Sequence, residues 1–160
     1  MKNWYSFVDV IAPASCMACG EHHVSSESLL CIRCLAQLPK SVRPLRSLQP
    51  VRASWALGPY TGMLGGLVRK AKYGHCIPVA DQLGHWLGER IKGLVHVDAV
   101  THVPNPWYRR LYRGFDPPFH IAQGVAAQIG VSSVHLLRRK GGARQVGKSA
   151  SSPPCPSSSD

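Results

Sequence analysis

The sequence predicts an α/β protein in which a partial parallel-sheet domain follows a small metal-stapled module, and three observations carry that expectation. Two Cys-x-x-Cys pairs, Cys16/Cys19 and Cys31/Cys34, stand 11 residues apart near the amino end. Several later stretches repeat apolar residues at helical spacing. Apolar runs at residues 99–103 and 131–137 flank the last of these stretches, so strand, loop, helix and strand follow one another as in a βαβ unit. Such a unit pairs its strands in parallel through a right-handed crossover.

A chain of 160 residues can bury one main core and a small accessory module. Lys and Arg number 19 against 8 Asp and Glu, and the excess grows along the chain, which points to an anionic partner. No apolar run approaches the roughly 18 residues that a membrane span needs, so no membrane insertion is expected. Asp9 interrupts the short apolar opening, which is too brief for a secretion signal, and a cytoplasmic location is expected. In that reducing compartment cysteines read as metal ligands or free thiols rather than as disulfides.

In chain order, Trp4, Phe7, Val8 and Ile11 can share one face of a short helix. The cysteine pairs come next. Each tight turn brings two thiolates to one side of a metal, and two turns complete a four-sulfur shell suited to structural zinc, with Cys16, Cys19, Cys31 and Cys34 as ligands. Gly20 supplies the permissive backbone that the first turn wants. His22 and His23 could substitute as ligands but read as loop residues. A closed four-thiolate site contributes folding energy and keeps no open position for catalysis, and its removal is expected to unfold only this module.

Residues 39–52, rich in proline and basic side chains, read as a linker or crossing segment. A short strand is expected at 53–60. Thr61 then caps a helix over 62–73 that buries Leu64, Leu67, Val68 and Ala71 and carries Arg69, Lys70 and Lys72 at its end, where the helix dipole favours cations. A second helix over 78–92 follows from Val79, Leu83, Leu87 and Ile91, with Trp86 widening the stripe and Pro78 in its first turn. Cys76 reads as a small buried hydrophobe. A third helix, from 117 or 118 to 128, carries Ile121, Ala122, Val125, Ala126 and Ile129, and Gly130 closes it.

Between the first parallel strand and this helix lies a loop with Arg109, Arg110, Arg113 and Gly114. The second strand leads into another basic segment with Arg138, Arg139, Lys140, Arg144 and Lys148. Ligands of parallel sheets collect beyond the carboxyl ends of the strands, so two cationic loops at one edge suit a phosphorylated small molecule. No catalytic acid–base pair is evident, and His102 reads as a packed strand histidine.

The paired CxxC motifs, the segment YTGMLGGLVRKAKYG at 60–74, Val103-Pro104, the arginine-rich run into Arg113-Gly114-Phe115, an alanine-rich helix and a basic segment leading to Gln145 occur in an order that resembles the ComF/GntX family. Its members join an N-terminal zinc ribbon to a type I phosphoribosyltransferase domain. The resemblance spans roughly residues 10–149. It implies a zinc-ribbon module and linker at 1–50 and a partial phosphoribosyltransferase-like domain at 51–149, while the composition of 150–160, rich in Ser and Pro without apolar periodicity, reads as a disordered tail. The resemblance also implies a pyrophosphate loop over 104–115 with Arg109, Arg110, Arg113 and Gly114, and a flexible loop contributing Arg138, Arg139 and Arg144.

Where the family continues RGF with Asn and Gln, this chain has Asp116 and Pro117. The acidic DD-x-x-TTG type loop that holds ribose and its 5′-phosphate is not found, and a Ser/Pro-rich stretch stands after Ser149 instead. A C-terminally truncated family member, catalytically incomplete as a transferase, is therefore expected.

Two functions follow. The first is a ComF-like protein associated with competence, DNA uptake or nucleotide metabolism, binding phosphoribosyl pyrophosphate or a pyrophosphate-like anion, with magnesium only if the former is bound, and meeting a protein partner of the DNA-uptake machinery. The second is a non-enzymatic, zinc-dependent module for single-stranded nucleic acid or protein, in which Trp107, Tyr108 and Tyr112 stack beside the arginines.

Overall fold

A computed structural model of the chain describes residues 15–21, 28–46, 50–106 and 114–138. Around the first cysteine pair the backbone turns tightly. Gly20 N–H donates to the Cys16 carbonyl at 2.8 Å, and Cys16 N–H donates to the Glu21 carbonyl at 2.9 Å. Gly20 takes a left-handed conformation with φ +79°, which a residue bearing a Cβ adopts only at a cost. Cys31 N-caps helix α1, Ile32–Ala36. Met17 N–H, bonded to the Leu29 carbonyl at 2.9 Å, draws the two cysteine pairs together.

The stretch expected as a linker carries a strand. Strand β1, Arg43–Leu45, pairs antiparallel with β2, Ser54–Ala56, placing Pro44 opposite Trp55. Both strands are edges, where a proline's missing N–H is tolerated. Helix α2, Gly62–Tyr73, buries Leu64, Leu67 and Ala71 at helical spacing. Helix α3, Ile77–Ile91, has Pro78 in its first turn and buries Val79, Ala80, Leu83 and Trp86.

Helix α4, Pro117–Ile129, ends at Gly130 with φ +80°. There the N–H groups of Gly130 and Val131 both reach the Ala126 carbonyl, at 2.9 and 3.1 Å, which satisfies an acceptor left over at the helix end. Helices α3 and α4 approach closely because three of the facing residues are glycines. A Cβ on Gly124 would lie 2.7 Å from the Asp81 carbonyl oxygen, one on Gly88 2.9 Å from Val125 Cα, and one on Gly84 would collide with the Ile121 carbonyl.

Strands β3, Ala99–Val100, and β4, Ser132–Ser133, pair in parallel on either side of α4. Val134 N–H continues the ladder to the Val100 carbonyl at 2.8 Å. A parallel pair joined through a helix, with a separate antiparallel pair and further helices, is the expected α/β class at the coarse level. Both strands are shorter than the apolar runs suggested. Beyond the ladder, Leu136 N–H bonds the Thr101 hydroxyl oxygen at 3.3 Å rather than a backbone carbonyl.

One core runs from the cysteine turns into the helices. Cys16, Leu30, Cys31, Cys34 and Leu38 pack in a single cluster with Leu64, Leu67 and Ala71 of α2 and with Val79, Ala80, Leu83 and Trp86 of α3. Two side chains reinforce the seam: Lys70 Nζ donates to the Met17 carbonyl at 2.6 Å, and Arg90 Nε to the Pro39 carbonyl at 2.5 Å. Lys70, expected only to offset a helix dipole, thus has a specific partner. Among the described residues no helix is long and apolar enough to cross a membrane.

Candidate metal centre and the crossover edge

The ligand atoms of Cys16, Cys19, Cys31 and Cys34 all lie within 4.8 Å of one another, with Cys19 exposed and the other three buried. Cys19 Sγ stands 3.8 Å from Cys31 Sγ. A tetrahedron with metal–sulfur bonds of about 2.3 Å has edges of about 3.8 Å, so this spacing suits a zinc-sized ion and the all-sulfur donor set suits a soft or borderline one. His22 and His23 lie outside the described residues.

The backbone prepares the sulfurs unequally. Ala18 N–H points at Cys16 Sγ at 3.4 Å and Cys31 N–H does so at 3.3 Å. Burial pushes the Cys16 thiol up, but the backbone N–H groups of Cys19, Cys31 and Ala18 and the Cys19 thiol outweigh it and bring it down to about 6. Cys34 is pushed up to about 12, by burial first and then by the neighbouring sulfurs of Cys31, Cys19 and Cys16. Cys19 is raised as well, chiefly by desolvation. Without a metal, one ionised sulfur is thus stabilised and the crowd around it resists further charge. A divalent cation reverses that balance, because coordination deprotonates a thiol outright.

Cys76, read as a small buried hydrophobe, is half-buried and packs against the core.

Of the residues that the sequence assigns to an anion site beyond β3 and β4, only two fall among the described residues. Gly114, at φ +72°, and the exposed Arg138 are described. Arg109, Arg110, Arg113, Arg139 and Arg144 lie outside the described residues, as does the stacking set Trp107, Tyr108 and Tyr112.

The edge does hold a polar constellation: His102 is packed, as the sequence suggested, but it lies just beyond β3 and meets Asp116, a grouping the sequence did not foretell. His102 and Asp116 are only 8% and 6% exposed. Asn105 Nδ2 donates to Asp116 Oδ1 at 2.6 Å, and His102 Nε2 lies 3.7 Å from Asp116 Oδ2. The His102 ring meets Phe119 and His135 edge-on, at 5.6 and 5.0 Å between centroids, and Phe119 stacks on His135. Nearby, His120 Nδ1 and Asp81 Oδ1 stand 3.0 Å apart, tying α4 to α3.

Asp116 occupies the N-cap position of α4 without a side-chain capping bond; its carboxylate turns instead to Asn105 and His102. An acid directly before a proline pair is a legible helix-start signal, but nothing local to the sequence connects it to residues 11 and 14 positions earlier. No family model, curated protein or solved structure matches this chain.

Proposed function

We propose that this is a ComF-like, phosphoribosyltransferase-family protein in which zinc, held by Cys16, Cys19, Cys31 and Cys34, stabilises a fold whose crossover edge binds a pyrophosphate-like anion. The observation that carries the reading is the parallel β3–β4 pair with α4 as its crossover. That arrangement sends the stretches after both strands to one edge, and in the sequence those stretches lead into Arg109, Arg110 and Arg113 and into Arg138, Arg139 and Arg144. Parallel sheets collect ligands at this edge, and arginine matches phosphate geometry better than lysine does.

These 160 residues contain no paired-acid ribose loop, so the activity proposed for them is binding of the anion and not transfer of ribose. Isothermal calorimetry with pyrophosphate, and with phosphoribosyl pyrophosphate plus magnesium, tests it. Binding is expected, with at least a ten-fold loss in Arg110→Ala or Arg113→Ala. Absence of binding to either ligand overturns the anion site. Tight, salt-dependent binding of single-stranded DNA without either anion would favour the nucleic-acid module instead.

A further inference from the structure

Cys19 differs from the other three thiols of the centre in a way that bears on chemistry. It is the exposed one. Among the described residues its Sγ receives no backbone N–H, whereas Cys16 Sγ receives those of Ala18, Cys31 and Cys19. Hydrogen bonds from backbone N–H groups to a thiolate draw on its lone pairs, so the accessible sulfur that has only thiol neighbours is the better nucleophile. Its neighbour is placed to follow: Cys31 Sγ is 3.8 Å away, and closing that gap to a disulfide of about 2.05 Å requires a shift of roughly 1.8 Å. Gly20, next to Cys19, is exposed and has no atom within 4 Å of its Cβ position, so the turn has room to move.

We propose that Cys19 and Cys31 form an oxidative modification site through which a hydroperoxide ejects the zinc. The Cys19 sulfur attacks one peroxide oxygen. A sulfur–oxygen bond forms, the oxygen–oxygen bond breaks, and the departing oxygen leaves as an alkoxide or hydroxide that takes a proton from water. The Cys31 sulfur then attacks the sulfenic sulfur, forming the disulfide and releasing a second hydroxide. Two electrons pass from the two sulfurs to the peroxide, and zinc, left with two of its four ligands, dissociates.

Cys16, Cys31 and Cys34 share a core with Leu64, Leu67 and Ala71, and Lys70 bonds the Met17 carbonyl. Loss of the metal therefore loosens α2. The site reports oxidant by changing the stability of the helical body, with no dependence on the anion edge.

The proposal rests on zinc being bound, and native mass spectrometry of the untreated full chain checks that first. Absence of zinc there overturns the metal reading itself. With zinc bound, hydrogen peroxide is expected to release one zinc per chain, to give a Cys19–Cys31 disulfide in peptide mapping, and to speed hydrogen exchange across residues 64–71. Dithiothreitol with added zinc is expected to restore all three.

Cys19→His keeps a zinc-ligating side chain while removing the nucleophilic sulfur, and its zinc release under peroxide is expected to slow at least ten-fold. Release at the unmodified rate in that variant, retention of zinc by the parent chain under peroxide, or a disulfide formed mainly between other cysteines overturns the proposal.

Discussion

The four clustered cysteines of the candidate metal centre are chemically unequal although they are spaced alike in the sequence. Cys16, brought down to about 6, is ionised at neutral pH, whereas Cys34, pushed up to about 12, and the raised Cys19 are not. Zinc binding at neutral pH must therefore expel protons from Cys19 and Cys34. The apparent affinity is expected to rise at least about 100-fold per pH unit near neutrality, about ten-fold for each proton, and more steeply below about 6, where Cys16 joins them. Competition with a chromogenic chelator across that range measures the slope.

In the metal-free chain the signs run oppositely. Cys16, lowered from an ordinary thiol value of about 8.5, favours the fold at alkaline pH and ceases to do so as pH falls through about 6. Cys34 opposes the fold as pH rises from about 8.5 toward 12. The paired spacing made the ligand set legible in the sequence. The N–H groups that distinguish one sulfur from another are a property of the folded turn, so the inequality was not legible. The same holds for the buried Asp116, whose half-buried partner Asn105 comes from the other end of a loop. Asn105→Ala leaves that carboxylate without its 2.6 Å donor and is expected to cost about 1–3 kcal/mol in urea unfolding.

Among the elements, the three longer helices follow closely from apolar periodicity, because each has a buried stripe on a polar background. The strands follow poorly. Each described strand is two or three residues long, too short for alternation to declare itself, and β1, inside the proline-rich stretch read as a linker, owes its place to pairing with Ser54–Ala56, which lies within the strand expected at 53–60. The glycine contact between α3 and α4 was also invisible, since a glycine in a helical pattern reads as a weakness until its neighbour is known.

That contact sorts the glycines by position. Gly84→Ala and Gly124→Ala drive a methyl group into the backbone of the facing helix and are expected to destabilise by about 1–3 kcal/mol. Gly66→Ala, in α2 with no atom within 4 Å of its Cβ position, is expected to stabilise by up to about 1 kcal/mol. Urea unfolding of the three variants tests the contrast; equal effects would mean that the close approach has no energetic weight.

Across the whole molecule, the shared core joins regions that the sequence presents as a module, a linker and a domain. Composition changes sharply near residues 39–52, yet Leu38 packs in the same cluster as Leu83 and Trp86, and Arg90 reaches back to the Pro39 carbonyl. The expectation that zinc removal unfolds only the amino-terminal module gives way to a different one. Chelation is expected to lower the temperature of a single unfolding transition, with the buried Trp86 and far-ultraviolet helicity changing together. Two separate transitions would show that the core, though continuous, is not cooperative.

The same continuity sets a timetable for synthesis. When the ribosome has added Leu38, every cysteine of the centre is already made, while Trp86 and Leu83, against which that cluster packs, are still about 48 residues away. At about 5–20 residues per second this interval lasts roughly 2–10 s. Through it the thiolates and their apolar neighbours have no cover from the helices to come, and metal captured then would hold the turns in shape until α2 and α3 arrive to close over them.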